Sequence, residues 1–282
     1  MKLSNVFKSS LLITLLGLIY YPSIGWLVNR WNAPEGYYSH GPLIFLASLF
    51  FIWSERRTLS EIKVDPSPRG IYLIAAALLL HIAGFYMNFY FISVFSLIIL
   101  LFGIIMFSFG MNMFRKMIFP IGYLIFMIPM PLVLVSNIVI RMKLFAAQMA
   151  TNALNIIGIK AIRDGSIIKM PFSYIEVEAP CSGLRSLIAL LALGAAFAYL
   201  AKHNLWKKWL LFLFALPIAI AANVMRIVLL GWVSDVYGMK AAQGWIHDFS
   251  GFLLFAAAAL GLLALNGLLT KENDLIEKKH EG

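Results

Sequence analysis

The sequence predicts an all-α polytopic membrane protein of about eight transmembrane helices, with a small extracytoplasmic β-hairpin element before the sixth. Three observations carry this. Of 282 residues, 61% are hydrophobic and only 13% are charged. The apolar residues fall in repeated runs of roughly 18–22 residues, the length that crosses a bilayer. The basic residues behind the net charge of +10 gather mostly between those runs. Basic loops beside anionic headgroups account for such a charge in a membrane chain, so it implies no nucleic-acid partner.

Eight runs read as spans, at about 9–28, 40–54, 70–88, 91–110, 117–135, 183–201, 207–230 and 248–269. The first follows a basic start, MKLSNVFKSS, as a signal peptide would. It lacks a clear small-x-small cleavage site and is read as a retained span. The second is short, and the third and fourth are barely separated. The seventh contains Pro217, which membrane helices tolerate when neighbours satisfy the freed carbonyl. The whole chain, 1–282, reads as one integral membrane domain, with the charged tail KENDLIEKKHEG as a solvated end.

Loop charges predict the orientation. With the N-terminus inside the cell, the inner segments hold Lys2, Lys8, Arg56, Arg57, Lys63, Arg69, Arg115, Lys116, Lys202, Lys207, Lys208, Lys271, Lys278 and Lys279. The outer ones hold Arg30, Arg141, Lys143, Lys160, Arg163, Lys169 and Lys240. Both termini are then cytoplasmic, in a cell (inner) membrane.

The long outer segment, 136–182, predicts two features. NIVIRMKLFAAQMATNALNIIG has the apolar face of an interfacial helix. Beyond it, Asp164-Gly165 is a hairpin-turn signal between short β-branched runs. A third possible strand, SYIEVEA, leads into the only cysteine of the chain. Glu176 and Glu178, two apart, would share one face of that strand.

Three places carry candidate chemistry. Cys181, in EAPCSGLRSL, stands where the sixth span begins. Free N–H groups and the positive end of a helix dipole there favour a thiolate, and Arg185, four residues on and hence on the same helical face, would add positive potential. A lone cysteine forms no internal disulfide and no cysteine metal cluster, and no cofactor is expected. Lone cysteines are also commonly small packing residues. Arg226 lies inside the seventh span in PIAIAANVMR, on one face with Asn223. A cation inside an apolar run is costly and marks function, unless it snorkels to the interface. His247, in WIHDFSG at the start of the eighth span, can act as a base near neutral pH, with Asp248 as a helix cap or an orienting group. The charge rule takes no account of these residues. Yet it puts Cys181, Arg226 and His247 at one outer face on three different spans, where they could make a thiol acyl-transfer site. His40 and His81 stand outside it, His81 as a buried, hydrogen-bonded residue of the third span.

APCSGLRS around Cys181, PIAIAANVMR ending at Arg226 and HDFSG from His247 together resemble the exosortase/archaeosortase family of multi-pass membrane transpeptidases. YSHGPLIFL near His40 is similar to the family's early region. The resemblance implies that Cys181 is the nucleophile, with Arg226 and His247 completing the site. Asn223, Arg185, Ser182 and Gly183 would support it or bind substrate. It also implies partners: membrane-anchored proteins whose C-terminal sorting signal joins a short motif such as PEP to a membrane helix and a basic cluster, and an acceptor amine of unknown identity. Two other readings stand beside this one. In a transporter, Arg226 would anchor an anion and His247 carry a proton. In a scaffold of an envelope polysaccharide or secretion system, no single polar residue would matter.

Overall fold

A computed structural model of the chain describes residues 3–281 except Glu35, 178–182 and Gln243; residues 3–9, 12, 13, 132, 245, 247, 248 and 271–281 are described by backbone alone. The chain forms two compact units, 1–131 and 132–282.

The first unit runs through α1 (Leu3–Trp31), α2 (Gly41–Ser54), α3 (Arg56–Glu61), α4 (Gly70–Tyr86), α5 (Tyr90–Phe109) and α6 (Met111–Gly122), then a 3₁₀ turn at Tyr123–Met127. α4 and α5 form a tight hairpin whose turn is closed by Asn88 in the left-handed region, φ +57°. Glycines let the two backbones touch. A Cβ on Gly70 would lie 2.4 Å from the Phe107 nitrogen, and one on Gly84 would lie 2.8 Å from that of Ser93. Small residues at the contact are how membrane helices gain packing energy without a hydrophobic drive. α1 completes the packing around Tyr20, Ala77 and Leu100 and adds polar links. Tyr20 Oη meets Ser96 Oγ at 2.8 Å, Ser23 Oγ meets Ser93 Oγ at 2.6 Å, and Ser93 Oγ lies 2.8 Å from His81 Nδ1. His81 is thus buried and hydrogen-bonded, as its place in an apolar run requires.

The predicted span at 117–135 is not one helix. α6 tightens into the 3₁₀ turn, Ile128 is extended, and a new helix starts at Leu132. Pro129 and Pro131 explain the break: each lacks an N–H and drives the residue before it out of the α region. Side chains bind the backbone groups left over. Trp31 Nε1 donates to the Met127 carbonyl at 2.9 Å, and the Met130 N–H donates to Tyr38 Oη at 3.1 Å. Irregular backbone within an apolar setting needs such partners.

The second unit begins with α7 (Leu132–Ile156), which contains all but the last two residues, Ile157 and Gly158, of the helical segment expected to lie in the interface. Asn155 then holds the departing chain, accepting from the Ala161 N–H at 3.0 Å and donating to its carbonyl at 2.9 Å. Strands β1 (Ile162–Asp164), β2 (Ile167–Lys169) and β3 (Tyr174–Glu176) make an antiparallel sheet in that order. Asp164 pairs with Ile167, so the two-residue turn is Gly165-Ser166, one place later than the sequence indicated. Gly165 has φ +63° and Ser166 is not among the residues with positive φ, the pattern of a II′ hairpin. Ile168 and Val177 point inward and pack with Leu154 of α7.

Three helices follow: α8 (Leu184–Leu200), α9 (Leu205–Tyr237) and, after the short α10 (Met239–Ala242), α11 (Trp245–Glu281). α9 passes unbroken through Pro217. α8, α9 and α11 share a core of Leu190, Leu211, Ala215, Ala219, Ala258 and Leu262. The far part of α9 contributes Ile227 to the core beneath the sheet. Among the described residues, Tyr90–Phe109, Val133–Ile156, Leu205–Tyr237 and Phe249–Thr270 are long and apolar enough to cross a membrane. Gly41–Ser54, Gly70–Tyr86 and Leu184–Leu200 are apolar but shorter.

Lys169 Nζ donates to Asp164 Oδ2 at 2.6 Å across the hairpin, with the side chains 59% and 66% exposed. That ammonium group holds the Asp164 carboxyl below its ordinary value. A depressed carboxyl pKa gives stability that is present above the unfolded value and is lost as pH falls through the folded one. Exposure makes the contribution small. Lys169→Ala is therefore expected to move the thermal midpoint in detergent by no more than about 1 °C between about pH 5 and 8. A drop of several degrees would show that the pair does more than decorate the hairpin.

Candidate active site

α9 is the spine of the site. It lies against both α8 and α11, so residues on different sides of it reach different neighbours. Asn223 is 7% exposed and lies against Gly183, the residue that caps α8. A Cβ on Gly183 would sit 2.7 Å from Asn223 Cγ and 2.8 Å from its Nδ2. Gly183 has φ +79° and ψ 0°, a left-handed conformation that costs a residue with a Cβ about 1–2 kcal/mol. Two constraints therefore select glycine here: the backbone angle and the asparagine.

One turn further along α9, Arg226 lies against α11. A Cβ on Gly251 would sit 3.0 Å from Arg226 Cζ and Nη2, and 3.4 Å from Nε. The guanidinium thus rests on the bare backbone of α11. His247 is the third residue of α11 and stands four before Gly251, one helical turn away on the same face. Its side chain is not among those described. Gly251 had a place in the HDFSG signal, but sequence spacing gave it no task. Its partner is on another helix, and only the rotation of α9 against α11 reveals it.

The start of α9 also meets α11. Lys207 Nζ donates to the Leu269 carbonyl at 3.4 Å, and His203 Nε2 lies 3.0 Å from Asn266 Oδ1. α9 and α11 are therefore antiparallel neighbours: the start of α9 is bonded to the far part of α11, and Arg226 lies against Gly251 near the start of α11. At about 1.5 Å per residue, Lys207 and Arg226 are about 28 Å apart along α9. That is close to the hydrocarbon thickness of about 30 Å. Beyond Arg226, α9 continues to Tyr237 under the sheet. The Phe172 N–H donates to Asp235 Oδ1 at 3.2 Å and ties the β2–β3 connection to this extension.

Cys181 and Ser182 lie outside the described residues. The described chain brackets them: Val177 is fully buried under the sheet, its N–H bonded to the Ser166 carbonyl at 3.0 Å, and Gly183 caps α8. Arg185 is exposed, in the first turn of α8. α8 starts at Leu184, so the four-residue spacing from Cys181 to Arg185 is not a spacing within that helix, contrary to expectation. The first turn of α8 does follow the cysteine closely in the chain. No cluster of three or more metal-ligating side chains occurs among the described residues.

Gly183→Ala is expected to lower the thermal midpoint in detergent by more in the wild type than in an Asn223→Ala background, where the side chain that the added Cβ would meet is gone. The backbone penalty is the same in both backgrounds, so the difference reports the overlap with Asn223. Equal losses would remove Asn223 from the account of Gly183.

A family model, described as that of the transmembrane exosortases (Exosortase_EpsH), matches residues 31–264. No curated protein and no solved structure matches the chain.

Proposed function

We propose that this chain, which belongs to the transmembrane exosortase family, cleaves C-terminal sorting signals of exported proteins through a thioester on Cys181, at the extracytoplasmic face. Membership carries the coarse role, that of a membrane transpeptidase in protein sorting. The finer reading rests chiefly on one observation. Through Asn223 and Arg226, α9 seats Gly183, two residues after Cys181, and Gly251, one turn after His247. Two residues of chain reach at most about 7 Å. Gly183, two residues after the thiol in the chain, and Gly251, four residues after the imidazole, thus lie against the same stretch of α9.

The chemistry runs as an acyl transfer. His247 takes the proton of the Cys181 thiol, and Sγ attacks the scissile carbonyl carbon. Negative charge builds on the carbonyl oxygen, where Arg226, with Asn223 beside it, stabilises it or holds the sorting motif. The C–N bond breaks, and the proton on His247 passes to the leaving nitrogen of the membrane anchor. A thioester remains on Cys181. An amine or water attacks it, giving the transferred or hydrolysed product and restoring the thiol. Ser182 and Arg185 take supporting roles in this reading.

In this reading Arg226 works where the membrane helix of a sorting signal emerges from the apolar layer. The decisive experiment is cleavage of a sorting-signal substrate by the wild type, Cys181→Ala and His247→Ala in proteoliposomes. His247→Ala is expected to slow cleavage by about 100–10,000-fold, with partial recovery at high pH as the thiolate forms unaided. An unchanged rate would take the proton-transfer role from His247.

A further inference from the structure

We infer that Gly251 is a positioning residue for Arg226: the bare Cα of α11 is the seat on which the guanidinium plane rests, and it sets how far Arg226 reaches toward the reacting carbonyl. This rests on the acyl-transfer reading for its consequence, but on contact geometry for its existence. A Cβ on Gly251 would lie 3.0 Å from both Cζ and Nη2, and 3.4 Å from Nε. Three guanidinium atoms would meet one added carbon. Nε of Arg226 is itself buried, so the plane has little room to tilt. Other glycines of the same helix differ. A Cβ on Gly261 or on Gly267 would meet nothing within 4 Å.

Helix propensity does not explain the choice. Alanine is the better helix former, and a free position in α11 would gain from it. Glycine at 251 is instead what a flat, broad cation against a helix backbone requires. The same logic sets Gly183 against Asn223. α9 then offers two polar side chains one turn apart, each steadied by a glycine on a different neighbouring helix.

The test is a set of full-length variants in proteoliposomes and in detergent. Gly251→Ala is expected to lower kcat for a sorting-signal substrate at least about tenfold, since small misplacements of a positioning group carry large rate costs. KM should change less than about twofold. Gly261→Ala and Gly267→Ala should cleave as the wild type does. Arg226→Lys supplies a slimmer cation, so adding Gly251→Ala to it should cost less than about twofold in kcat. The melting midpoints should show the same pattern: a loss for Gly251→Ala in the wild type, and little or none on top of Arg226→Lys. Wild-type cleavage by Gly251→Ala, or an equal loss of midpoint in both backgrounds, would overturn the seat. If Cys181→Ala still cleaves, the acyl-transfer reading fails, and the melting comparison alone decides whether Arg226 rests on Gly251.

Discussion

Cys181→Ala is expected to lower cleavage of a sorting-signal substrate by at least about 1,000-fold, leaving only the rate that binding and charge stabilisation give without a nucleophile. Protein level and thermal midpoint should be nearly unchanged, because cysteine and alanine are both small and the chain on either side is anchored independently. Val177 is buried beneath the sheet, and Gly183 is held against Asn223. Cys181→Ser keeps the size but puts a far weaker nucleophile at neutral pH in the same place, so it should be nearly as inactive. Substrate binding should survive in both. Uncut substrate accumulating with an inactive, well-folded variant is the pattern predicted. Abundant cut product from Cys181→Ala would remove the thioester.

Arg226→Ala is expected to cost about 100–1,000-fold in kcat, the usual effect of losing a charge-stabilising group from an acyl-transfer site. Two further results distinguish this from a packing defect. Arg226→Lys should not restore the rate, because an ammonium group is a point charge and cannot present the fork of donors a guanidinium offers. Arg226→Ala should also leave the protein stable or more so, since it removes a cation from an apolar helix. A large fall in midpoint with little change in kcat would mean that Arg226 is a structural tie between α9 and α11. Substitution of Lys207, at the opposite end of α9, gives the control: it should alter stability and not kcat.

Some of this was legible in the sequence, and the division has physical causes. The helix at Tyr90–Phe109 follows its apolar run closely, because length and hydropathy are what specify a long membrane helix, whereas α9 begins with its run and continues about two turns beyond residue 230. The sheet also showed in the pattern: β-branched runs flank Gly165, and the turn slipped by only one residue. The segment around Pro129 and Pro131 misled because hydropathy counts apolar surface. It does not register two missing N–H donors, nor Trp31 and Tyr38 standing ready to bind the exposed backbone groups. The continuity of α7 was hidden for a related reason. Its polar residues Asn137, Arg141 and Lys143 resemble an interfacial face, whereas its buried side, with Ala146, Ala147, Ala150 and Leu154, is small and apolar throughout.

At the site, the sequence marked the right residue types but not the contacts. Asn223 and Arg226 were seen as neighbours on one helix, and the structure gives each its own partner, Gly183 and Gly251. A glycine has no side chain to announce a role. Its meaning here comes from what lies against it on another helix, which depends on helix rotation and depth, and no local pattern encodes these.

The most direct test of Cys181 as the nucleophile uses the fact that it is the only cysteine. Right-side-out vesicles carrying the enzyme are treated with a membrane-impermeant maleimide for increasing times, and each sample is split to measure the fraction of chains labelled and the rate of substrate cleavage. The account predicts that activity falls in direct proportion to labelling, reaching zero at one label per chain, and that bound substrate slows both together. Fully labelled enzyme that still cleaves at the wild-type rate would contradict it.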